Sequence, residues 1–303
     1  MLFTIFQIYI LIILNIVNIY SFTNHQINDI NNIKNMSIVN DMELMTVSEE
    51  LFKKSPDLFN YVHINYQKQI CFNNFTDNAS ERLLNISFNI FPISTIKSLI
   101  KLFDNYKLDT YQSEIVTKEE DLEENEFINN LMKTDIMLYV MHFLSSKGFF
   151  KNDIYIHKNI LKQIWFHLYS RSKGINDSSG FEHVFIGERK SHKNIIGLHN
   201  WIFFFYGESS NKINYFGFGN SKKIVNKAVI LEIYFTYIGK HKKSSMFIGT
   251  APELEIALYT LCFFTRPNKK CKLSFAGIKF DIQTYMLQNN DLKFIATAFP
   301  IAK

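Results

Sequence analysis

Apolar residues in the first half of the chain recur at helical spacing. Phe127 and Leu131, then Val140 and Leu144, lie four apart in two successive runs that stop at Gly148. Ile160, Leu161, Ile164, Trp165 and Leu168 form a second stripe of the same period. A stripe at this spacing marks one buried face of a helix, so these residues are read as core. Thr117 followed by Glu120 makes a capping box. The acidic run Glu119–Glu126 then sits where the helix dipole favours negative charge. After residue 178 the pattern changes to strands. Phe181–Ile186 and Ile195–Tyr206 are β-rich runs around the polar segment Glu188–Asn194, which reads as a hairpin. Val229–Tyr237 is another strand. Thr250 and Glu253 form a capping box around Pro252, predicting a helix from there to about Thr265, with Leu254, Ala257, Leu258 and Leu261 on its buried face. Two or three strands finish the chain, with Asn289–Asn290 as a turn. No internal repeat is visible. The expected fold is α+β: a helical amino-terminal lobe over 46–176, then a β-rich lobe over 177–303.

The amino-terminal end follows a different pattern. Leu2 to Tyr20 is almost wholly apolar, and the first charged residue is Asp29. This reads as a signal peptide over 1–21, with a retained membrane anchor as the other reading. No later segment is long enough to span a bilayer. Residues 22–45, rich in Asn and Ile without a clear period, read as a linker. Five Asn-x-Ser/Thr sequons begin at Asn35, Asn74, Asn78, Asn85 and Asn176 and agree with a secreted, glycosylated product. The three cysteines, Cys71, Cys262 and Cys271, are too few for a disulfide framework. Cys262 and Cys271 could close a short loop in an oxidising compartment.

Composition narrows the class further. Of 303 residues 47% are hydrophobic and 16% aromatic, enough for one large domain or two lobes sharing a core, and unlike a disordered chain. The net charge of +5 is uneven. Residues 1–177 hold 16 Lys/Arg against 20 Asp/Glu, whereas 178–303 hold 17 against 8, so the second half is the one suited to a polyanion.

The predicted hairpin carries the candidate chemistry. With its turn centred near Ser191, paired residues sum to 382 and His183 falls opposite His199, on the same face of the sheet. Two imidazoles in one space suit phosphodiester transesterification. One takes a proton from a ribose 2′-OH and the other gives a proton to the departing 5′-oxygen. A cation beside them would stabilise the phosphorane, and Lys240, Lys242 and Lys243 cluster where the next strand ends. On spacing alone the histidines are more readily structural or incidental than catalytic, and His192 and His241 lie close by. No Cys-x-x-Cys, His-Glu-x-x-His, P-loop, dinucleotide fingerprint or Gly-x-Ser-x-Gly elbow is present.

Longer motifs add a resemblance. Asp177-Ser-Ser-Gly-Phe-Glu-His-Val-Phe-Ile-Gly-Glu188, Gly197-Leu-His-Asn-Trp201 and Phe247-Ile-Gly-Thr-Ala-Pro-Glu253 resemble successive motifs of the EndoU (poly-U-specific endoribonuclease) family, with Leu198 and Ala251 where Phe and Ser are usual. Leu102–Tyr106, Phe127–Thr134 and Ile164–Tyr169 fit as well, so the resemblance spans 46–303. It implies a helical lobe followed by a β-rich catalytic lobe. It also implies an endoribonuclease cutting single-stranded, uridine-containing RNA to 2′,3′-cyclic phosphate ends, acting as a monomer and not on DNA. A membrane is involved only if the amino-terminal segment is retained. By this resemblance His199 is the general base and His183 the general acid. Lys242 or Lys243 is the catalytic lysine, Lys242 fitting best. Ser245 or Ser244 contacts uracil, Thr284 and Tyr285 position the nucleotide, and Glu182 and Glu188 are supporting acids linked to a divalent cation, Mn2+ or else Ca2+. The alternative function is a catalytically inert RNA-binding or interaction protein on the same fold.

Overall fold

The computed structural model describes residues 38–70, 76–171, 174–190 and 194–302. The apolar leader, Cys71 and the sequons at Asn35 and Asn74 lie outside them. Helix α1 (Asp41–Lys54) begins inside the stretch read as linker. Asn40 and Glu43 form a reciprocal capping box, which starts the helix at Asp41 and ends the linker before it. Leu44, Val47, Leu51 and Phe52 are its buried face. On that face the Ser48 hydroxyl donates to the Ser274 carbonyl (2.7 Å) and accepts from its N–H (3.0 Å), and Phe52 stacks on Phe275 at 5.0 Å. The first helix is thus fastened to a strand near the end of the chain.

Helices α2 (Ser94–Lys101), α3 (Lys118–Leu131), α4 (Asp135–Ser146) and α5 (Ile154–Phe166) follow. The expected Thr117–Glu120 box caps α3, with bonds of 3.2 and 2.6 Å. After α4, Gly148 takes φ 84°, a conformation glycine adopts without a Cβ penalty. A short antiparallel pair, β1 (Val62–Ile64) with β2 (Leu84–Ile86), interrupts this helical half.

In the second half the expected long hairpin does not form. Only β3 (Glu188–Lys190) and β4 (Asn194–Ile196) pair, with Glu188 opposite Ile196, so partners sum to 384 and His183 lies outside the ladder. Glu182–Ile186 is a π-helical turn, and Trp201–Ser209 is helix α6, whose start Asn200 caps by accepting from the Phe203 N–H at 2.9 Å. Two antiparallel meanders complete the fold: β5 (Ile213–Ile224), β6 (Ala228–Tyr237) and β7 (Lys240–Ile248), then β8 (Lys270–Phe275), β9 (Ile278–Asn289) and β10 (Leu292–Ile301). Helix α7 (Pro252–Thr265) joins them and is buried all round, which its apolar sequence requires. Cys262 on α7 is disulfide-bonded to Cys271 on β8, with Cα atoms 5.6 Å apart. One continuous apolar core runs from Val39 to Ala302 and takes in both lobes.

The Thr250–Glu253 capping box is also absent. Ala251 is the N-cap, Pro252 takes the first turn, and Thr250 instead donates to the Glu255 carboxyl at 2.6 Å. Burial pushes the Glu255 carboxyl up to about 8. Between its ordinary 4.5 and about 8, the unfolded chain releases this proton while the folded chain keeps it, so stability falls as pH rises through that window. Glu255→Gln, neutral at every pH, is therefore expected to be about 2–3 kcal/mol more stable than the parent near pH 7. The gain should vanish towards pH 4.5, as urea titrations at the two pH values would show.

Candidate active site

The two histidines meet through the backbone. The π-helical turn closes with Gly187 N–H donating to the Glu182 carbonyl at 2.8 Å. The chain then returns through β3 and β4 and lies against that turn: Leu198 N–H donates to the His183 carbonyl (2.9 Å) and His199 N–H to the Val184 carbonyl (2.7 Å). This return needs Gly197, at φ 71°, because a Cβ there would lie 1.9 Å from the His183 carbonyl oxygen. Leu198, fully buried, follows in the left-handed region at φ 60°, a strained conformation for a residue with a side chain. The result sets the imidazoles 6.4 Å apart, centre to centre, tilted by 48°.

Both rings line an open pocket of about 590 Å³ with Arg171, Lys242, Ser245, Tyr285 and Phe299. His199 stacks on Phe299 at 4.9 Å. Its Nδ1 lies 2.9 Å from the Ser245 carbonyl and 2.9 Å from the Ser244 hydroxyl. That hydroxyl spends its proton on the Leu198 carbonyl at 2.7 Å, so both neighbours can only accept. The ring proton therefore sits on Nδ1, leaving the Nε2 lone pair unprotonated. Burial, then the Lys242 and His183 charges, hold His199 well below the ordinary imidazole range, and the Ser245 carbonyl opposes them. Neutral His199 is a ready proton acceptor.

His183 has a different setting. Its Nδ1 meets the Glu188 carboxylate at 2.6 Å, and the same oxygen takes an ion pair from Arg171 at 3.2 Å. Burial, then Arg171 and Lys242, lower the His183 pKa. Burial raises Glu188 to about 6, with Arg171 pulling the other way. Arg171 is held by Ser178 (2.7 Å), the Tyr169 hydroxyl (2.5 Å) and the Ala296 carbonyl. The sequence reading passed over Arg171. It left no signal in the sequence, because its part follows from Glu188 being fully buried in the folded chain.

Of the two candidate lysines, Lys242 is the one whose charge reaches both imidazoles. Burial lowers it to about 8, and among the described residues no carboxylate forms an ion pair with it. Lys243 also borders the pocket, but is occupied by Glu232 at 3.1 Å and lies over the Tyr234 ring. Ser245 reaches the pocket while its hydroxyl donates to the Pro300 carbonyl at 2.6 Å. Tyr285 stands 47% exposed at the rim, where a base could stack. Thr284 does not share this position. It is fully buried on the other face of β9 and donates to the Arg266 carbonyl at 3.3 Å, so a direct contact with a nucleotide is corrected to a structural place.

Glu182 and Glu188 do not fit a resident divalent cation. Both are 0% exposed. Glu188 is engaged with His183 and Arg171. Neither Glu182 oxygen has a hydrogen-bond partner among the described residues, and burial, then the Glu188 charge, raises its pKa well above the carboxylate range. Among the described residues no three His, Cys, Asp or Glu side chains gather as a metal site.

Comparison with known proteins gives the family. The family model described as Endoribonuclease XendoU matches residues 43–300. Uridylate-specific endoribonuclease B of Danio rerio is 39% identical over 219 residues, covering 70% of this chain and 76% of the relative. Uridylate-specific endoribonuclease D of Xenopus laevis is 38% identical over 233 residues, covering 74% and 75%. The solved structure of XendoU, described as a splicing independent snoRNA processing endoribonuclease, superposes with a TM-score of 0.72 at 30% identity, covering 88% of this chain and 98% of that one. The π-helical turn, the returning Gly197–His199 segment and the lysine on β7 thus sit in a chain that belongs to the XendoU endoribonuclease family.

Proposed function

We propose that this protein cuts single-stranded RNA on the 3′ side of uridines by transesterification. The observation that carries this is the preset pair: His199 with its free Nε2 and His183 in one pocket, with Lys242 lining the same pocket and its charge felt by both rings. His199 takes the proton of the ribose 2′-OH, whose oxygen attacks phosphorus. The ammonium of Lys242 stabilises the phosphorane, and His183, held by Glu188, protonates the leaving 5′-oxygen. The products are a 2′,3′-cyclic phosphate and a 5′-hydroxyl. An RNA with one uridine, analysed by mass, tests this. Replacing that uridine by 2′-deoxyuridine should abolish the cut, and efficient cutting at the deoxy position would overturn the mechanism. An inert binding protein would leave both RNAs intact.

The two lysines separate in the same assay. Lys242→Ala should lower cleavage by about 10²–10³-fold. Lys243→Ala should leave it within several-fold, since that ammonium is held by Glu232.

The pH dependence should shift on binding. Free His183 loses its proton early because burial and two cations disfavour the charged ring. A bound phosphodiester brings negative charge and favours the imidazolium. The alkaline limb of kcat, which reports the complex, is therefore expected at higher pH than that of kcat/KM, which reports the free enzyme. Coincident limbs would mean that the phosphate does not reach the imidazoles.

For a divalent cation, Mn2+ or Ca2+, we propose an indirect part, ordering RNA outside the histidine pair. Chelation should then leave the product ends unchanged, whereas 5′-phosphate ends would indicate attack by metal-activated water. For localisation we propose the secretory lumen. The Cys262–Cys271 bond and the exposed sequon residues Asn85 and Asn176 support it. Glycans on those residues, and a mature chain beginning near Phe22, would be seen by mass analysis.

A further inference from the structure

We propose a second ligand site, for a medium-chain alkyl monocarboxylate, in an apolar cavity behind the β9–β10 ladder. The cavity holds about 180 Å³ and lies between α5, α7 and β9. Phe149, Phe150, Phe263, Phe264, Ile160 and Met286 form most of its wall. The rings brace one another: Phe264 makes edge contacts with Phe149 (5.6 Å), Phe150 (5.4 Å) and Phe263 (5.3 Å). Walls fixed in this way cannot collapse to fill the space. Native cores hold few voids larger than a water molecule, and an unfilled one lowers stability in proportion to its volume. A lining this apolar gives water few partners, and a comparable cavity of ~150 Å³ in another protein takes benzene. The volume suits a chain of about six to eight carbons.

Two polar residues complete the lining and choose the head group. Lys293 is exposed and forms no ion pair among the described residues; Gln163 is half-buried. An ammonium and an amide donor in the lining of an apolar cavity match a carboxylate on an alkyl tail. The site is separate from the catalytic pocket. Tyr285 borders that pocket and Met286 this cavity, successive residues facing opposite sides of β9. The inference therefore does not rest on the proposed reaction.

Calorimetric titration of the full chain with octanoate and with octanol tests the proposal. Octanoate should bind saturably, one per chain, and at least tenfold more tightly than octanol. Lys293→Met should weaken octanoate at least tenfold and leave octanol unchanged. Gln163→Trp, which sets an indole across the mouth, should weaken both at least tenfold, while circular dichroism and RNA cleavage stay as in the parent. Should Gln163→Trp unfold the chain, Ile160→Phe fills the cavity from within and carries the same expectation. No saturable binding of octanoate by the parent would overturn the site. Equal affinity for octanol would overturn the carboxylate assignment, as would unchanged octanoate binding in Lys293→Met.

Discussion

Cleavage should fall by about 10²–10⁴-fold in His183→Ala and in His199→Ala, the range that a positioned general acid or base contributes. Each ring lies at the edge of an open pocket, and each is held by a few identifiable bonds. Truncation should therefore leave the fold unchanged by circular dichroism. RNA affinity should survive, since phosphate contacts elsewhere hold the strand. The double variant should lose less than the product of the single losses, because the two groups act on one transition state. Single-turnover rates at saturating RNA measure all three. Full activity in His199→Ala would end the assignment.

The second large effect comes from a residue with no side chain. Gly197→Ala places a methyl group 1.9 Å from the His183 carbonyl oxygen, in a left-handed conformation. The obstacle is backbone, so no rotamer change relieves it. The returning segment must lift away from the π-helical turn, and His199 moves with it. Displacement of a catalytic group by about 1 Å can cost 10²-fold in rate. A loss of at least that size is expected, with a lower melting temperature. Gly174→Ala, with nothing among the described residues within 4 Å of its added methyl, is the matched control at positive φ. Equal rates for the two variants would show that the close approach at Gly197 is unimportant.

The helical half was legible because its signals are local. The Thr117–Glu120 box, the stripe on α5 and the stop at Gly148 need only a few neighbouring residues to be read. The region around the histidines was not legible in that way. Ile202, Phe203, Phe204 and Phe205 are β-branched or aromatic, and a short apolar run does not separate strand from buried helix. The deciding residue was Asn200, an N-cap directly before the run. The π-helical turn has no comparable signature. The opposed pairing across a hairpin thus named two histidines that do share a pocket, but by a geometry the fold does not use, and the motif resemblance names the same two. Thr284 and Tyr285 show a further limit. As adjacent residues of a strand they face opposite ways, and only Tyr285 reaches the pocket. Arg171 was invisible because its role depends on Glu188 being buried, which is a property of the folded chain.

The bonds from Leu198 and His199 onto the carbonyls of His183 and Val184 have a consequence for how the enzyme can diverge. The distance between the backbones that carry His183 and His199 is set by these two main-chain hydrogen bonds, and Glu188, Ser244 and Phe299 then orient the rings. Substitutions around the pocket can change which base is admitted, how RNA is gripped or how fast product leaves, while the spacing of the two histidine backbones stays constant. Drift in substrate preference is therefore open to this scaffold without retuning its chemistry.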